Sequence, residues 1–224
     1  MKKLSLAIAL GFAAIGAQAA PVCAAGTCTA STSFGLEKTN WVAVLNLPQF
    51  DPSVGVLTGV NFMYDGRVET TFKIESLDGA ASNIALSSSA GLTFSGLFAD
   101  VLSAAGGLNV PLAAFDGVID FGGTSGASPA PVIGTDSDQF NVAGSLAAYQ
   151  GLGNLAALTV AATGASGASG AGNLISQIGT LAQVNVKVTY TYDPIRPPVV
   201  PEPGSLALVG LALAAAGVAA RRKA

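Results

Sequence analysis

Two stretches of this chain alternate apolar and polar side chains with a period of two. From Val68 to Glu75, Val68, Thr70, Phe72 and Ile74 fall on one face, and Glu69, Thr71, Lys73 and Glu75 on the other. From Val184 to Tyr192, Val184, Val186, Val188, Tyr190 and Tyr192 face one way, and Asn185, Lys187, Thr189 and Thr191 the other. A period of two, filled with β-branched and aromatic residues, predicts half-buried strands. One polar face per strand makes the pairing antiparallel. Tyr64-Asp65-Gly66-Arg67 sets an Asp-Gly pair between the apolar stretch Gly55 to Tyr64 and the Val68 strand, which predicts a hairpin turn. Further strands are predicted over Trp41 to Leu47, Ile84 to Ser88, Leu92 to Leu97, Val118 to Phe121, Gln139 to Ala148 and Leu155 to Ala162.

Small residues punctuate this pattern. Gly122 to Gly126 and Gly164 to Gly170 read as exposed loops. Pro194, Pro197 and Pro198 predict a stiff extended stalk over residues 193–200. Many short strands, Gly-rich turns and no strong amphipathic helix point to an all-β body, an antiparallel β-sandwich over residues 40–192. A parallel β-solenoid is the alternative, although no fixed-period repeat is visible. Residues 20–39 form an N-terminal segment ahead of that body.

The two ends have a different grammar. Met1-Lys2-Lys3 is a basic start, Leu4 to Ile15 is apolar, and Ala17-Gln18-Ala19 is an A-x-A cleavage site. This predicts a signal peptide over residues 1–19, cut to leave Ala20 first. At the far end, Pro201-Glu202-Pro203-Gly204 precedes an uncharged run, Ser205 to Ala220, and then Arg221-Arg222-Lys223. As a helix, Gly204 to Ala220 would cover roughly 25 Å, slightly short of a hydrocarbon core of about 30 Å. Local thinning accommodates such a span, and the three cations would remain cytoplasmic. A buried C-terminal helix of a soluble domain is the competing reading. It is the weaker one, because the run is apolar on every face and ends in adjacent cations.

In order and position, the three tail features over residues 201–224 resemble the PEP-CTERM sorting signal of Gram-negative bacteria. The resemblance implies recognition by an exosortase, a membrane transpeptidase-like enzyme, and cleavage near the motif. Pro201, Glu202 and Pro203 would then be the recognition residues, Leu206 to Ala220 a transient anchor, and Arg221, Arg222 and Lys223 the retention signal. Proline fixes φ and keeps the preceding residue out of helix, so Val200 to Pro203 is expected to be extended and accessible to a processing enzyme.

Both ends also change the charge. The whole chain carries ten Lys+Arg and thirteen Asp+Glu. Without residues 1–19 and 201–224, five cations and twelve anions remain, net −7. An acidic body with no basic cluster argues against nucleic-acid binding. It suits an exported protein among other polymers. The only cysteines are Cys23 and Cys28. Export permits a disulfide that staples the new N-terminus. Free thiols or a lipid on Cys23 are the alternatives, and Ala20-Pro21-Val22 is a poor lipidation context.

Three segments of the body resemble the choice-of-anchor E domain, a bacterial surface domain. They are Leu47 to Pro52 with Gly55-Val56-Leu57, then Leu112 to Gly117 with Asp120 to Gly126, and Val188 to Tyr192. The resemblance implies an exported β domain over about residues 40–192 and brings no catalytic residue or ligand.

The chemistry is defined largely by what is missing. The chain has no histidine, which excludes Ser-His-Asp and Cys-His catalysis and histidine-based zinc sites. Two cysteines cannot close a structural zinc site, and neither a P-loop nor G-x-S-x-G occurs. Asp116 with Asp120, and Asp136 with Asp138, are the closest carboxylate pairs for two-carboxylate glycoside hydrolysis. The plainer reading is turn-capping carboxylates. Asp136-Ser137-Asp138 is also a weak calcium candidate without the Gly and distal Glu of an EF-hand. Trp41, Phe50 and Phe94 would serve as a sugar-stacking surface if exposed, although strand aromatics usually belong to a core.

The expectation is therefore a non-enzymatic exported protein without cofactor. Its partners would be signal peptidase and the export machinery, an exosortase-like enzyme, the membrane during transit, and exopolysaccharide. It would pass through an inner-membrane intermediate to the cell surface or extracellular matrix. The role would be structural or adhesive in a biofilm, with a carbohydrate-binding module and a histidine-free hydrolase as alternatives.

Overall fold

The computed structural model describes residues 21–195 and 208–213 of the 224-residue chain. The chain divides into two units, one ending at Pro194 and one beginning at Ile195. Among its described residues the first holds β1 (Val22–Ala24), β2 (Thr27–Lys38), β3 (Trp41–Leu45), β4 (Gly55–Ser76), β5 (Ser82–Gly96), β6 (Asp100–Leu112), β7 (Gly126–Ala127), β8 (Val132–Asn141), β9 (Leu158–Ser169) and β10 (Leu174–Pro194), with one 3₁₀ turn at Ala147–Tyr149.

These strands form one sheet in the order β1-β2-β10-β4-β8-β6-β5-β9-β3, with β7 beside the end of β4. Every strand pair is antiparallel. The all-β antiparallel expectation therefore holds, and a parallel solenoid is overturned. In place of two stacked sheets, a single open sheet curls until its inner face packs on itself. A two-residue connection forces the curl. Thr39 and Asn40 join β2, near one end of the sheet, to β3 at the other. The Thr39 N–H donates to the Thr180 carbonyl of β10 (3.1 Å), and the Asn40 N–H to the Ala162 carbonyl of β9 (3.0 Å). Two residues cannot span a flat sheet of this width, since strands lie about 4.8 Å apart.

The interior holds two apolar clusters. One gathers Phe50, Phe62, Tyr64, Phe94, Phe98, Leu158, Val186 and Tyr190. The other gathers Phe72, Ile74, Ile84, Leu86, Leu112 and Val132. Between them on β4, β5, β9 and β10 sit the hydroxyls of Thr70, Ser88, Ser166 and Thr180. Thr70 lies 2.6 Å from Ser88, and Ser166 lies 2.7 Å from Thr180. Each buried large apolar side chain contributes about 1.5–3 kcal/mol, against about 0.5–1.5 for a hydroxyl bond. The clusters therefore supply most of the stability, and the hydroxyl belt satisfies the polar groups buried between them.

Both alternating stretches are strands with the expected faces inward, and Val68, Phe72, Ile74, Val184, Val186, Val188 and Tyr190 are buried. Other boundaries differ. No hairpin turns at Asp65-Gly66, because β4 runs straight through. Asp65 pairs with both Asn185 and Ser137, and Gly66 with both Val184 and Asp136. The glycine is needed for space, since a Cβ there would meet Leu92 Cδ1. The two segments expected around residues 84–97 are the single strand β5, and residues 164–169 continue β9 instead of looping. Val118 to Phe121 is loop, with Val118 and Ile119 exposed. The strand expected over Gln139–Ala148 begins earlier and stops at Asn141. Residues 27–38, read as a segment outside the body, form β2 and pair with β10. Asp193 and Pro194, read as stalk, finish β10.

In the second unit, residues 208–213 are helical. Among the described residues no helix is long and apolar enough to cross a membrane. The predicted span, residues 205–220, lies outside the described residues except for 208–213, and most of the stalk, residues 196–200, lies outside them too.

The sheet is narrowest where β6 meets β8. Ala105↔Thr135 is the only ladder pair there, and a Cβ on Gly134 would overlap the Ala105 backbone. Gly134→Ala is expected to lower Tm by about 5 °C or more, because backbone cannot step aside as a side chain can. Gly91 has open space around its Cβ position, so Gly91→Ala is expected to leave Tm unchanged or slightly higher. Parallel thermal melts followed by circular dichroism check the contrast.

Candidate functional site

One end of the curled sheet gathers carboxylates. Glu75 lies on the outward register of β4 yet is fully buried, because the loop after β6 folds over it. The Ser125 hydroxyl donates to Glu75 Oε1 (2.6 Å), and the Phe121 N–H donates to Oε2 (2.8 Å). Phe121 takes φ +58° to aim that amide, a left-handed conformation that is strained for a bulky residue. The Ser125 hydroxyl also accepts the Asp116 N–H (3.2 Å).

The other carboxylates do similar work. Asp116 accepts the N–H groups of Val118 (3.1 Å) and Thr124 (3.2 Å). Asp120 accepts that of Gly122 (2.8 Å). Asp78 accepts those of Gly172 (2.6 Å) and Asn173 (2.9 Å) in the β9–β10 turn. The Val118 amide, with that of Thr124, holds the Asp116 carboxyl below the usual range. With the folded value depressed, this stabilisation is complete above about pH 4 and disappears as pH falls through the lower folded value. Asp116 and Asp120 thus cap their own loop, the turn-capping role the spacing allowed.

Asp136 and Asp138 sit within β8, not in a loop as a calcium reading requires. Asp136 Oδ2 accepts the Ser103 N–H of β6 (2.8 Å) and so fastens the narrow β6–β8 junction. Its other oxygen accepts the Ser137 N–H, and Asp138 accepts that of Gln139. Among the described residues no group of three or more Cys, Asp or Glu side chains is placed to hold a metal ion.

The aromatic surface is corrected outright. Phe50 and Phe94 are core residues, 0% and 1% exposed. Phe50 packs against Tyr190 and Tyr192, and Phe94 against Tyr64. Trp41 is half-buried against Phe34 (4.5 Å between centroids). Burial is also the main influence that pushes the Tyr64 and Tyr190 hydroxyls up, with Asp100 adding to the effect at Tyr64 and Tyr149 at Tyr190. Tyr64 donates to Asp100, and Tyr190 to the Pro48 carbonyl (2.5 Å).

Sequence reasoning did not single out a shallow groove on the outer face of β2, β10, β4 and β8. Its lining includes Ser31, Met63, Asp65, Ser137, Gln139 and Lys187. Asn185 donates to Asp65 Oδ2 (2.8 Å) within it, and Asn61 donates to Asn141 (2.8 Å) one row away. The signal was present as the polar half of each alternating strand, but only the pairing register aligns the rows.

Cys23 and Cys28 form a disulfide with Cα atoms 4.0 Å apart. They oppose each other across the β1–β2 hairpin. Ala17, Ala19, Ala20, Pro201, Glu202, Pro203, Arg221, Arg222 and Lys223 lie outside the described residues.

Comparison with known proteins bears on the tail. Residues 199–223 match the family model of the PEP-CTERM protein-sorting motif. The motif implies an exported protein, processed by an exosortase-type enzyme and sorted toward the cell surface. The match does not reach the body, and no curated protein matches the chain. Two structures of infectious bursal disease virus, of the Gt and Gx strains, align over 82% and 83% of this chain at 9% and 12% identity. The TM-score is 0.15 in each case, and the chain spans about half of those chains, 49% and 48%. Likeness at that level carries no argument.

Glu75 is the keystone of the carboxylate end. Glu75→Ala strands the Phe121 N–H and the Ser125 hydroxyl and is expected to destabilise the body by about 2–4 kcal/mol. Asp120→Ala removes one exposed bond and is expected to lower stability by less than about 1 kcal/mol. Urea unfolding, with limited chymotrypsin digestion at Phe115 and Phe121, measures both.

Proposed function

We propose that this protein is a structural or adhesive component of the bacterial surface or extracellular matrix, associated with exopolysaccharide in a biofilm, and that it is not an enzyme. The PEP-CTERM motif at residues 199–223 carries the reading. It is supported by carboxylates that bind their own loops in place of a substrate cleft, and by a chain without histidine. In this reading the tail holds the exported body at the membrane until an exosortase-type enzyme cuts near Pro201-Glu202-Pro203. The body is then released or attached at the surface as a choice-of-anchor E-like domain.

Intact-mass measurement of the protein recovered from cells and medium tests the sorting step. The expected mass corresponds to a chain beginning at Ala20 and ending near Val200 or within the motif. With Pro201, Glu202 and Pro203 replaced by alanine, the expected product is uncut and membrane-bound. A wild-type mass that still includes Ala224 would make the tail a permanent anchor.

A second reading, carbohydrate binding, is favoured by the outer groove, whose amides and carboxylate are held in register with Met63 half-exposed between them. Polar groups aligned beside an apolar patch suit the hydroxyl and C–H faces of a sugar. Affinity electrophoresis through the producing organism's own matrix polysaccharide is expected to retard the wild type and to retard Asn185→Ala/Lys187→Ala less. Unretarded wild type removes this reading and leaves the sorting reading intact.

A further inference from the structure

The two edges of the sheet are treated differently. At one edge, β1 is three residues long, is stapled to β2 by the Cys23–Cys28 disulfide and covers only Thr27–Thr29, and the uncovered remainder of β2 carries Gly35, Glu37 and Lys38. At the other, β3 is Trp41-Val42-Ala43-Val44-Leu45, five apolar residues without a charge, proline or bulge. Its ladder to β9 uses one side. Among the described residues no backbone hydrogen bond reaches its other side, and β2, joined to it by the Thr39-Asn40 turn, does not pair with it. Val42 and Val44 point outward at 69% and 59% exposure. The Trp41 indole N–H, at the same seam, has no partner among the described residues. Sheets ordinarily blunt such an edge with Lys, Pro, a bulge or a covering segment, because it templates pairing.

We propose that β3 is a self-association edge, pairing antiparallel with β3 of a second copy about a two-fold axis at Ala43. The sequence specifies this occupant. Inverted about Ala43, the strand sets Val42 against Val44 of the partner copy on the exposed face, while Trp41 and Leu45 stay packed on their own core. A two-fold contact requires that self-complementarity. Ala43, the residue that meets its own copy, is small. No charge lies in the strand, and its neighbours Asn40 and Asn46 are uncharged, so nothing repels a like copy. The pair would join two curled sheets through one continuous ladder, with β-branched residues in direct cross-strand contact.

Five residue pairs are far fewer than a standard interface of about 1,600 Å² provides, so a dissociation constant of about 10–100 µM is expected. Chains concentrated on a surface would pair more readily than chains in dilute solution. That consequence rests on the sorting reading, but the pairing itself does not.

The test reverses the sign of one charge and changes nothing else. Val42→Lys/Val44→Lys sets ammonium against ammonium across the two-fold axis, whereas Val42→Lys/Val44→Glu sets ammonium against carboxylate. Both variants alter only exposed side chains. Sedimentation velocity of the full chain, in one detergent for all samples and over a concentration series, is expected to show pairing for wild type and Val42→Lys/Val44→Glu. Val42→Lys/Val44→Lys is expected to remain a single copy. Hydrogen exchange on wild type gives a check that needs no substitution, since amides of residues 41–45 are expected to slow as concentration rises. Wild type that stays a single copy with unchanged exchange overturns the proposal. Two double variants that behave alike overturn the Ala43-centred register, and with it the proposal.

Discussion

The ladder between β4 and β10 is the constraint on which the rest of the structure depends. Every residue from Leu174 to Pro194 has a partner in β4, and both strands alternate buried and exposed residues along most of that length. Slipping the pairing by one residue would turn Val184, Val186, Val188 and Tyr190 to water and bring Asn185, Lys187 and Thr189 into the core. The register is therefore set by a run of apolar burials acting together. Strands this long twist, and twist accumulated across neighbouring strands curls an open sheet. The Thr39-Asn40 connection, bonded to β10 on one side and β9 on the other, fixes where the curl ends.

Small residues then decide how closely the curled layers approach. Gly66 leaves room for Leu92 across the interior, and Gly134 lets β8 touch β6. Ala104 and Ala162 are buried where a larger side chain would push strands apart. This explains a composition that first looks like linker. Much of the Gly, Ala and Ser in this chain is strand backbone with little side chain, held by its ladders and by the interior Thr70, Ser88, Ser166 and Thr180 hydroxyls.

How legible the fold was follows from the same fact. Alternation was readable where one face is Val, Phe, Ile or Tyr, as in Val68 to Ile74 and Val184 to Tyr192. It was unreadable in β6, where Ala104-Ala105-Gly106-Gly107 has almost no polarity contrast, and in the Gly164–Ser169 part of β9. Asp65-Gly66 misled because a glycine admitted for space looks like one admitted for a turn. The curl was hidden for another reason: closure depends on which strands neighbour each other across long sequence separations. At the candidate site, the spacing of Asp116 and Asp120 correctly allowed turn caps. Nothing local marked Glu75 as buried, since its donors come from residues 121 and 125. The sorting tail was legible because its signal is linear and needs no fold to be read.

That contrast between tail and body bears on function. A linear sorting signal specifies an address whatever the attached domain does, so the body must be judged on its own surface. The Asp116, Asp120 and Asp78 carboxylates are committed to backbone amides, and most of its aromatics to the core. Its outer face carries hydroxyls and amides in rows on β10 and β8, beside a charged row of Asp65, Arg67, Glu69 and Lys73 on β4. The hydroxyl and amide rows hold their side chains in register without the desolvation penalty that the charged row would incur when covered. Neutral rows of this kind favour many weak contacts acting together over one deep site.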